Sequence, residues 1–185
     1  MDLPETTFGD KKMGDRILVA YASQAGSTAG VAEAIGRELA NGGMYPRVDV
    51  RPMSEVTELS SYRAVIAGSA IHGSKWLPGA MQFVQQNQAE LRQKPFAAFM
   101  VCITLSMRGA DKYRAGVAEW MAPVRNLVRP VSEGYFAGAL DFGQLPLNKD
   151  TLLMRLPVFF GAWKEGDHRD WDAITAWAKD LRPLL

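Results

Sequence analysis

The sequence predicts an α/β protein in which a doubly wound parallel sheet of five strands has helices packed on both faces. Three observations support this fold class. The chain has 185 residues, the length of one domain. Hydrophobic residues make up 48% and charged residues 22%, as in an ordinary globular protein. Short apolar runs alternate with segments of helical periodicity along the chain, and parallel neighbours require such crossover connections.

The first strand and the first helix show the two periods most clearly. Residues 16–21 form a short apolar run, as expected of a strand that is buried on both faces of a parallel sheet. In the following helix, Val31, Ile35 and Leu39 recur at the spacing of one helical face, and the Asn-Gly-Gly sequence at 41–43 ends it. The remaining strands are predicted at residues 47–50, 64–69, 96–104 and 135–140.

Local signals place the other helices between these strands. Residues 53–59 are compatible with a short helix between the second and third strands. Pro78 is expected to start a helix, because the first turn does not need the N–H that proline lacks. Pro123 lies inside the apolar helical face at 117–127 and predicts a kink or an early end there. Asp170 is predicted to be the N-cap of the last helix.

The domain organisation is expected to be simple. A polar N-terminal extension at residues 1–14 precedes a single domain at 15–185, with an insertion at about 141–169. Ordinary connections in such folds have about 2–6 residues, so this longer segment is an insertion. Its apolar side chains, including Phe159 and Phe160, are costly to leave in water. They are expected to cover either the sheet, as ordinary core, or a substrate or partner beside the functional site.

Charge and cysteine content exclude several classes of function. The formal net charge is +1, which gives no basic footprint for nucleic acid. The single cysteine, Cys102, has no partner for an intramolecular disulfide, and with only two histidines a structural metal site is not expected. The sequence shows no secretory signal and no apolar stretch long enough for a spanning helix. We expect a cytoplasmic protein. Peripheral contact with the inner face of the membrane and assembly into a homo-oligomer are both compatible with the sequence.

The loop after the first strand has the composition of an anion site. Gly26 permits tight backbone geometry, and Ser23, Ser27 and Thr28 supply hydroxyl donors beside the N-terminus of a helix. The loop contains no lysine or arginine, so a phosphate is expected to be held by neutral donors alone. It matches neither a Walker A loop nor a dinucleotide fingerprint. The alternative is a helix cap with no ligand.

The order of strand, Ser-Gln-Ala-Gly-Ser-Thr and helix resembles the FMN phosphate loop of the flavodoxin superfamily. Segments 65–73, 136–140 and 170–171 are most similar to the flavodoxin-like, menaquinone-dependent protoporphyrinogen dehydrogenases. The resemblance implies a flavodoxin-like sheet of order 2-1-3-4-5 with FMN at the carboxyl ends of its strands. The phosphate-binding residues that it implies are Ser23, Gln24, Ala25, Gly26, Ser27 and Thr28.

The same resemblance implies that the turns after the third and fourth strands contact the flavin ring. The residues concerned are Ser69, Ala70, Ile71, His72, Gly73, Trp76, Thr104, Leu105 and Ser106. His72 is a candidate proton donor, and the alternative is a loop histidine packed beside the flavin or solvated. Trp76 either flanks the ring or anchors the core. No catalytic residue is assigned, and Cys102 is expected to be an inert buried thiol.

These expectations define a function and its alternatives. The resemblance implies an FMN-binding oxidoreductase that passes electrons from a redox donor to a quinone. The near-neutral charge favours this over a flavodoxin-type single-electron carrier, since typical flavodoxins are strongly acidic and dock on basic partners. A flavodoxin-like interaction module with a vacant flavin site is the further alternative.

Overall fold

The central sheet has five parallel strands in the order that the sequence analysis predicts. The computed structural model describes residues 16–41, 43, 47–107, 109–140 and 166–185. The long strands are β1 (Arg16–Ala22), β2 (Arg47–Pro52), β3 (Tyr62–His72), β5 (Phe96–Cys102) and β6 (Ser132–Ala137). They lie side by side in the order β2-β1-β3-β5-β6, which is 2-1-3-4-5 when only these five are counted.

Helices cover both faces of this sheet, one short strand pairs with it, and two more form a separate sheet. The α-helices are α1 (Ser27–Asn41), α2 (Pro78–Gln86), α3 (Gln88–Leu91), α4 (Asp111–Ala118), α5 (Ala122–Leu127) and α6 (Trp171–Leu181). Short 3₁₀ turns lie at Met53–Glu55, Ile103–Ser106, Glu119–Met121 and Arg182–Leu184. Two antiparallel pairs complete the fold: β4 (Lys75–Trp76) folds back on the end of β3, and β7 (Ala139–Leu140) pairs with β8 (Gly166–Asp167).

The sheet separates two apolar cores. In β1, Ile17 and Val19 belong to the core under α1 and α6, whereas Leu18 and Ala20 belong to the core on the opposite face. All four side chains are fully buried. Because successive side chains of a strand point to opposite faces, a strand covered on both sides needs apolar residues at every position. This explains the continuous apolar run that predicted the strand.

Several local predictions are confirmed. The Asp170 carboxylate accepts a hydrogen bond of 2.9 Å from the backbone N–H of Ala173 and caps α6. Pro78 begins α2. The helical face at 117–127 is broken into α4, a 3₁₀ turn and α5, with Pro123 in the first turn of α5.

Several element boundaries differ from the predictions: β2 and β3 are longer than predicted, and the predicted fifth strand is divided into β6 and β7. The segment predicted as a helix at 53–59 contains only the 3₁₀ turn Met53–Glu55. Strand β5 ends at Cys102 rather than at 104, because the chain turns into a 3₁₀ helix. Strand β6 begins at Ser132, three residues before the prediction, since its polar residue Glu133 is satisfied by an arginine of α5.

Two predicted segments extend beyond the described residues. The N-terminal extension at 1–14 lies outside them, as does the insertion between 141 and 165. Its two ends are described, and they meet in the β7–β8 pair. In the part of the chain that the structure describes, no helix combines the length and apolar character that crossing a membrane requires. Across the same ranges, no three His, Cys, Asp or Glu side chains are grouped as a metal ion requires.

One glycine of β3 makes space for a large side chain of the neighbouring strand β5. Gly68 lies opposite Phe99 in the register of these strands. A Cβ atom added at Gly68 would fall on the Phe99 ring, which is fully buried. The ring in turn packs at a tilt against Phe136 and edge-on against Trp177 of α6, at centroid distances of 6.2 and 6.1 Å. Gly68 therefore makes room for the aromatic cluster between the sheet and α6.

We expect Gly68→Ala to lower the free energy of unfolding by at least ~1–3 kcal/mol, since overpacking forces a buried ring from its position. Urea unfolding followed by circular dichroism measures this change. Gly116→Ala in α4 is the matched control, because a Cβ there meets no atom within 4 Å and alanine favours the helix. Equal stability of the two variants would contradict this account of Gly68.

A polar cluster joins α5 to the edge strand β6. Arg125 donates to both carboxylate oxygens of Glu133, with Nε–Oε1 2.7 Å and Nη2–Oε2 2.8 Å, and to the Tyr135 hydroxyl at 2.9 Å. The Tyr135 hydroxyl also donates to Glu133. The hydrogen bonds from Arg125 hold the pKa of Glu133 below its ordinary value. Burial, followed by the hydrogen bond to Glu133, raises the pKa of Tyr135 to about 12.

The lowered pKa of Glu133 predicts an acid-sensitive contribution to stability. A carboxylate whose pKa is lower in the folded state stabilises the fold above its unfolded pKa of about 4.3, and that contribution is lost as pH falls through the folded pKa. We expect Glu133→Gln to destabilise the protein at neutral pH, and the difference from wild type to shrink below pH ~4. Unfolding measured at a series of pH values checks this. Substitution of the exposed Glu119 by Gln is the control. A stability difference between wild type and Glu133→Gln that does not vary with pH would contradict the prediction.

Candidate functional site

The carboxyl ends of the sheet strands meet at one edge of the molecule. Ala22 at the end of β1 pairs with Ser69 of β3, and Ala70 pairs with Val101 of β5. Cys102 in turn pairs with Ala137 of β6. The loops that follow β1, β3 and β5 therefore lie side by side at the position where doubly wound sheets bind their ligands.

The loop after β1 delivers the N-terminus of α1 to this edge. Gly26 has a φ of 81°, a left-handed conformation that favours glycine. Helix α1 begins at the next residue, Ser27, and the Gly30 N–H donates to the Gly26 carbonyl at 3.2 Å to close the first turn. The N–H groups at the start of a helix have no intrahelical acceptor and favour an anion. Gln24 and Gly26 are exposed, while Ala25 is half-buried.

Two hydroxyls of this loop are buried without a hydrogen-bond partner. They are Ser23 Oγ and Thr28 Oγ1, and the whole Thr28 side chain is inaccessible to solvent. A buried hydroxyl that lacks a partner costs about 1–3 kcal/mol, so such groups mark a place where a ligand supplies the missing acceptor. Phosphate oxygens are acceptors of this kind. The loop residues therefore fit a phosphate group.

The loop after β3 is a tight hairpin between β3 and β4. Ser69 is fully buried, and its hydroxyl donates to the Ala70 carbonyl at 2.7 Å and accepts a hydrogen bond from the Leu77 N–H at 3.0 Å. Ser69 therefore closes the base of the hairpin. Its tip turns through Gly73 and Ser74, both with positive φ, and His72 and Gly73 are exposed there. Ala70 and Ile71 are half-buried along the hairpin.

Trp76 occupies the core rather than the open edge. Its ring is 4% exposed and packs in the cluster that includes Leu18 and Phe83. This placement favours the core-anchor interpretation of Trp76, since a residue that flanks a flavin needs an accessible ring face. The sequence left open whether Trp76 flanks the ring or anchors the core, and the turn of β4 back toward α2 directs the indole inward.

The loop after β5 is a 3₁₀ turn with its own hydrogen bonds. The Ser106 hydroxyl donates to the Ile103 carbonyl at 2.7 Å, and the Met107 N–H donates to the Thr104 carbonyl at 3.2 Å. Thr104, Leu105 and Ser106 are all half-buried, and Leu105 packs against the core. This loop lies next to the β3–β4 hairpin because the parent strands are neighbours.

Cys102 precedes this turn, and its thiol is buried and unreactive. Its side chain is 4% exposed, and burial raises the pKa of the thiol to about 11. The thiol is therefore protonated at neutral pH, whereas the nucleophilic form is the thiolate. This agrees with the expectation of an inert buried cysteine.

An arginine from the far end of the chain reaches the phosphate loop. Arg169 Nη1 lies 3.5 Å from the Ser27 carbonyl oxygen, although the two residues are 142 positions apart. The sequence analysis missed Arg169, because it searched the loop itself for a cation. No local motif marks Arg169, and only its position just before α6 would have suggested proximity to α1, the helix against which α6 packs.

A separate polar recess lies on the β2 side of the loop. It has a volume of about 400 Å³. Its lining includes the polar residues Ser23, Ser54, Gln82 and Gln86. Ser23 thus belongs both to the phosphate loop and to the wall of this recess. Its hydroxyl oxygen is buried and has no hydrogen-bond partner in the protein.

Comparisons with known proteins agree with this geometry. Over 177 residues the chain is 27% identical to "Protoporphyrinogen IX dehydrogenase [quinone]" of Leishmania major, covering 91% of this chain and 75% of that protein. The oxidised flavodoxin 2 of Bacillus cereus superposes with a TM-score of 0.57 at 19% identity, over 92% of this chain and 99% of that one. A Streptococcus pneumonia TIGR4 flavodoxin superposes with a TM-score of 0.56 at 15% identity, with the same coverage.

A family model settles the assignment that these likenesses suggest. The model described as a flavodoxin domain matches residues 18–159, which include the phosphate loop and both of the turns after β3 and β5. Membership of this family implies FMN as the cofactor, and the two unpartnered hydroxyls of the loop suit its phosphate. The chain belongs to the flavodoxin domain family.

Proposed function

We propose that this protein is an FMN-dependent oxidoreductase that oxidises a porphyrinogen and delivers the electrons to a quinone. The observation that carries the proposal is the similarity to the quinone-linked protoporphyrinogen IX dehydrogenase of Leishmania major, which extends over 91% of the chain. Oxidation removes hydrogen from the porphyrinogen in pairs of electrons and protons, and each pair converts one quinone to its quinol. Bound FMN supplies reversible two-electron redox chemistry for such an exchange.

The ring-side loops support an enzyme with an open flavin face. In residues 69–77 and 103–107 the one Phe, Tyr or Trp side chain is Trp76, which is buried in the core. Apart from the His72 imidazole, these loops therefore offer no aromatic ring to cover a flavin. A face left uncovered admits a flat substrate, whereas a carrier that exchanges single electrons with a protein needs only an exposed edge.

Charge gives independent support. The chain has 21 basic and 20 acidic residues. A carrier that docks on basic redox partners gains association rate from a strongly acidic surface. A net charge of +1 does not supply that attraction. It suits a small apolar acceptor such as a quinone, whose encounter with the site does not depend on the charge of the protein.

Three groups of residues have distinct tasks in this proposal. Ser23, Thr28 and the N–H groups at the start of α1 bind the FMN phosphate. The β3–β4 hairpin and the turn at Ile103–Ser106 contact the flavin ring from two sides. His72, exposed at the tip of the hairpin, is the candidate for exchanging a proton with substrate.

The phosphate site predicts opposite effects of one substitution on stability and on binding. Thr28→Val keeps the side-chain shape and removes the unpartnered buried hydroxyl. We expect the FMN-free protein to gain up to about 1 kcal/mol in unfolding free energy, since no buried hydroxyl is then left unpaired. FMN affinity should fall about tenfold, as one hydrogen bond to the phosphate is lost. Thermal unfolding and fluorescence titration measure the two quantities.

Riboflavin is the control ligand for this variant, because it has the flavin ring without the phosphate. Its affinity should be the same for wild type and Thr28→Val. A variant that binds FMN as tightly as wild type would show that Thr28 does not contact the phosphate.

The proposed activity is tested with FMN-loaded protein, protoporphyrinogen IX and a soluble menaquinone analogue under anaerobic conditions. We expect porphyrin fluorescence to appear only when quinone is present, together with a matching loss of quinone absorbance. Omission of FMN from the depleted protein is the control, and it should abolish the reaction. Absence of turnover, combined with rapid single-electron exchange with a redox protein such as cytochrome c, would replace the proposal with a carrier function.

A further inference from the structure

We propose that Arg169 is a positioning residue for the FMN phosphate. Its guanidinium is held by Asp167 and Trp171 against the first turn of α1, and it keeps the peptide between Ser27 and Thr28 in the geometry and polarisation that bind the phosphate. This inference rests on FMN binding at the loop after β1, as proposed above. It assigns a role to the chain just before α6, a segment that is remote in sequence from the loop.

The guanidinium is fixed on one side by a fork of hydrogen bonds. Arg169 Nε donates to Asp167 Oδ1 at 2.8 Å, and Nη2 donates to Oδ2 at 2.7 Å. The Arg169 backbone N–H also donates to Asp167 Oδ1, at 3.1 Å. The side chain of Arg169 is only 18% exposed. A bidentate pair of this kind fixes the plane of the guanidinium as well as its position.

The face of the guanidinium is fixed by an aromatic ring. The central carbon of the Arg169 guanidinium lies 4.4 Å from the centroid of the Trp171 ring. Trp171 is the first residue of α6, so its position is set by the helix and by the Asp170 cap. The fork and the stack together leave Nη1 to point toward α1. Nη1 is the atom that lies 3.5 Å from the Ser27 carbonyl oxygen.

A glycine on α1 makes room for this contact. A Cβ added at Gly30 would lie 2.5 Å from Arg169 Nη1 and 3.8 Å from Cη2 of Trp171. Any larger residue at position 30 would push the guanidinium away from the helix. The N–H of Gly30 also donates to the carbonyl of Gly26, so the arginine rests on the same turn that shapes the phosphate loop.

The contact acts on the phosphate through one peptide group. The carbonyl of Ser27 and the N–H of Thr28 belong to the same peptide unit, and the N–H points toward the N-terminal end of α1. A cation at the carbonyl end polarises this unit, which strengthens the N–H as a donor to an anion at the other end. The Asp167 carboxylate balances the charge of Arg169, so the loop gains this local polarisation through Nη1 rather than a net positive charge.

The test compares FMN with riboflavin in two variants that disturb the contact from opposite sides. Arg169→Gln removes the charge, and Gly30→Ala displaces the guanidinium while favouring the helix. The measured quantity is the ratio of riboflavin Kd to FMN Kd, which isolates the contribution of the phosphate. We expect this ratio to fall about five- to tenfold in both variants, with riboflavin Kd unchanged. The melting temperature of Gly30→Ala should equal or exceed that of wild type.

Gly116→Ala is the matched control, since it places alanine in a helix where a Cβ meets no atom within 4 Å, and its ratio should stay at the wild-type value. A wild-type ratio retained by either Arg169→Gln or Gly30→Ala would overturn the positioning role. A riboflavin Kd that rises in parallel with the FMN Kd would also overturn it, because the effect would then be general loosening. Failure of the underlying phosphate site is recognised separately, since wild type itself would then bind both ligands equally.

Discussion

Parallel pairing of β1, β3 and β5 is the constraint on which the rest of the structure depends. Their register places Ala22 opposite Ser69 and Ala70 opposite Val101. The three strands therefore end side by side, and the loops that follow them begin at the same edge of the sheet. Such pairing requires helical crossovers, and the crossovers bury both faces of the sheet. Burial on both faces then leaves only the loops at the strand ends to present polar groups to a ligand.

Within that edge, hydroxyl groups of similar chemistry have different tasks. Ser69 is buried and hydrogen-bonded at both its donor and acceptor sides, so it holds the hairpin that follows β3. Ser23 and Thr28 are buried with their hydroxyls unpartnered, so they retain bonding capacity for a phosphate. The distinction depends on what each oxygen meets in the folded chain. It separates a hydroxyl that closes the hairpin from hydroxyls that have no partner within the protein.

The ring side of the site and the charge of the protein point to the same type of chemistry. The buried Trp76 leaves the ring-side loops without a Phe, Tyr or Trp ring as cover, and the balanced charge of 21 basic and 20 acidic residues gives no attraction for a charged redox protein. Both properties suit a site that admits small, flat substrates. A quinone, the electron acceptor in the proposed function, is a substrate of that type.

The sequence alone determined the sheet and the position of the loop between β1 and α1, because these depend on local periodicity and on a short contiguous motif. The strand order followed from the family resemblance. Boundaries such as the start of β6 were missed, since the polar Glu133 is accommodated only by Arg125 of a neighbouring helix. Tertiary structure alone decided that Trp76 turns inward and that Arg169 reaches Ser27 across 142 positions. Such contacts join side chains that are distant in sequence, and the packing of α6 beside α1 brings Arg169 and Ser27 together.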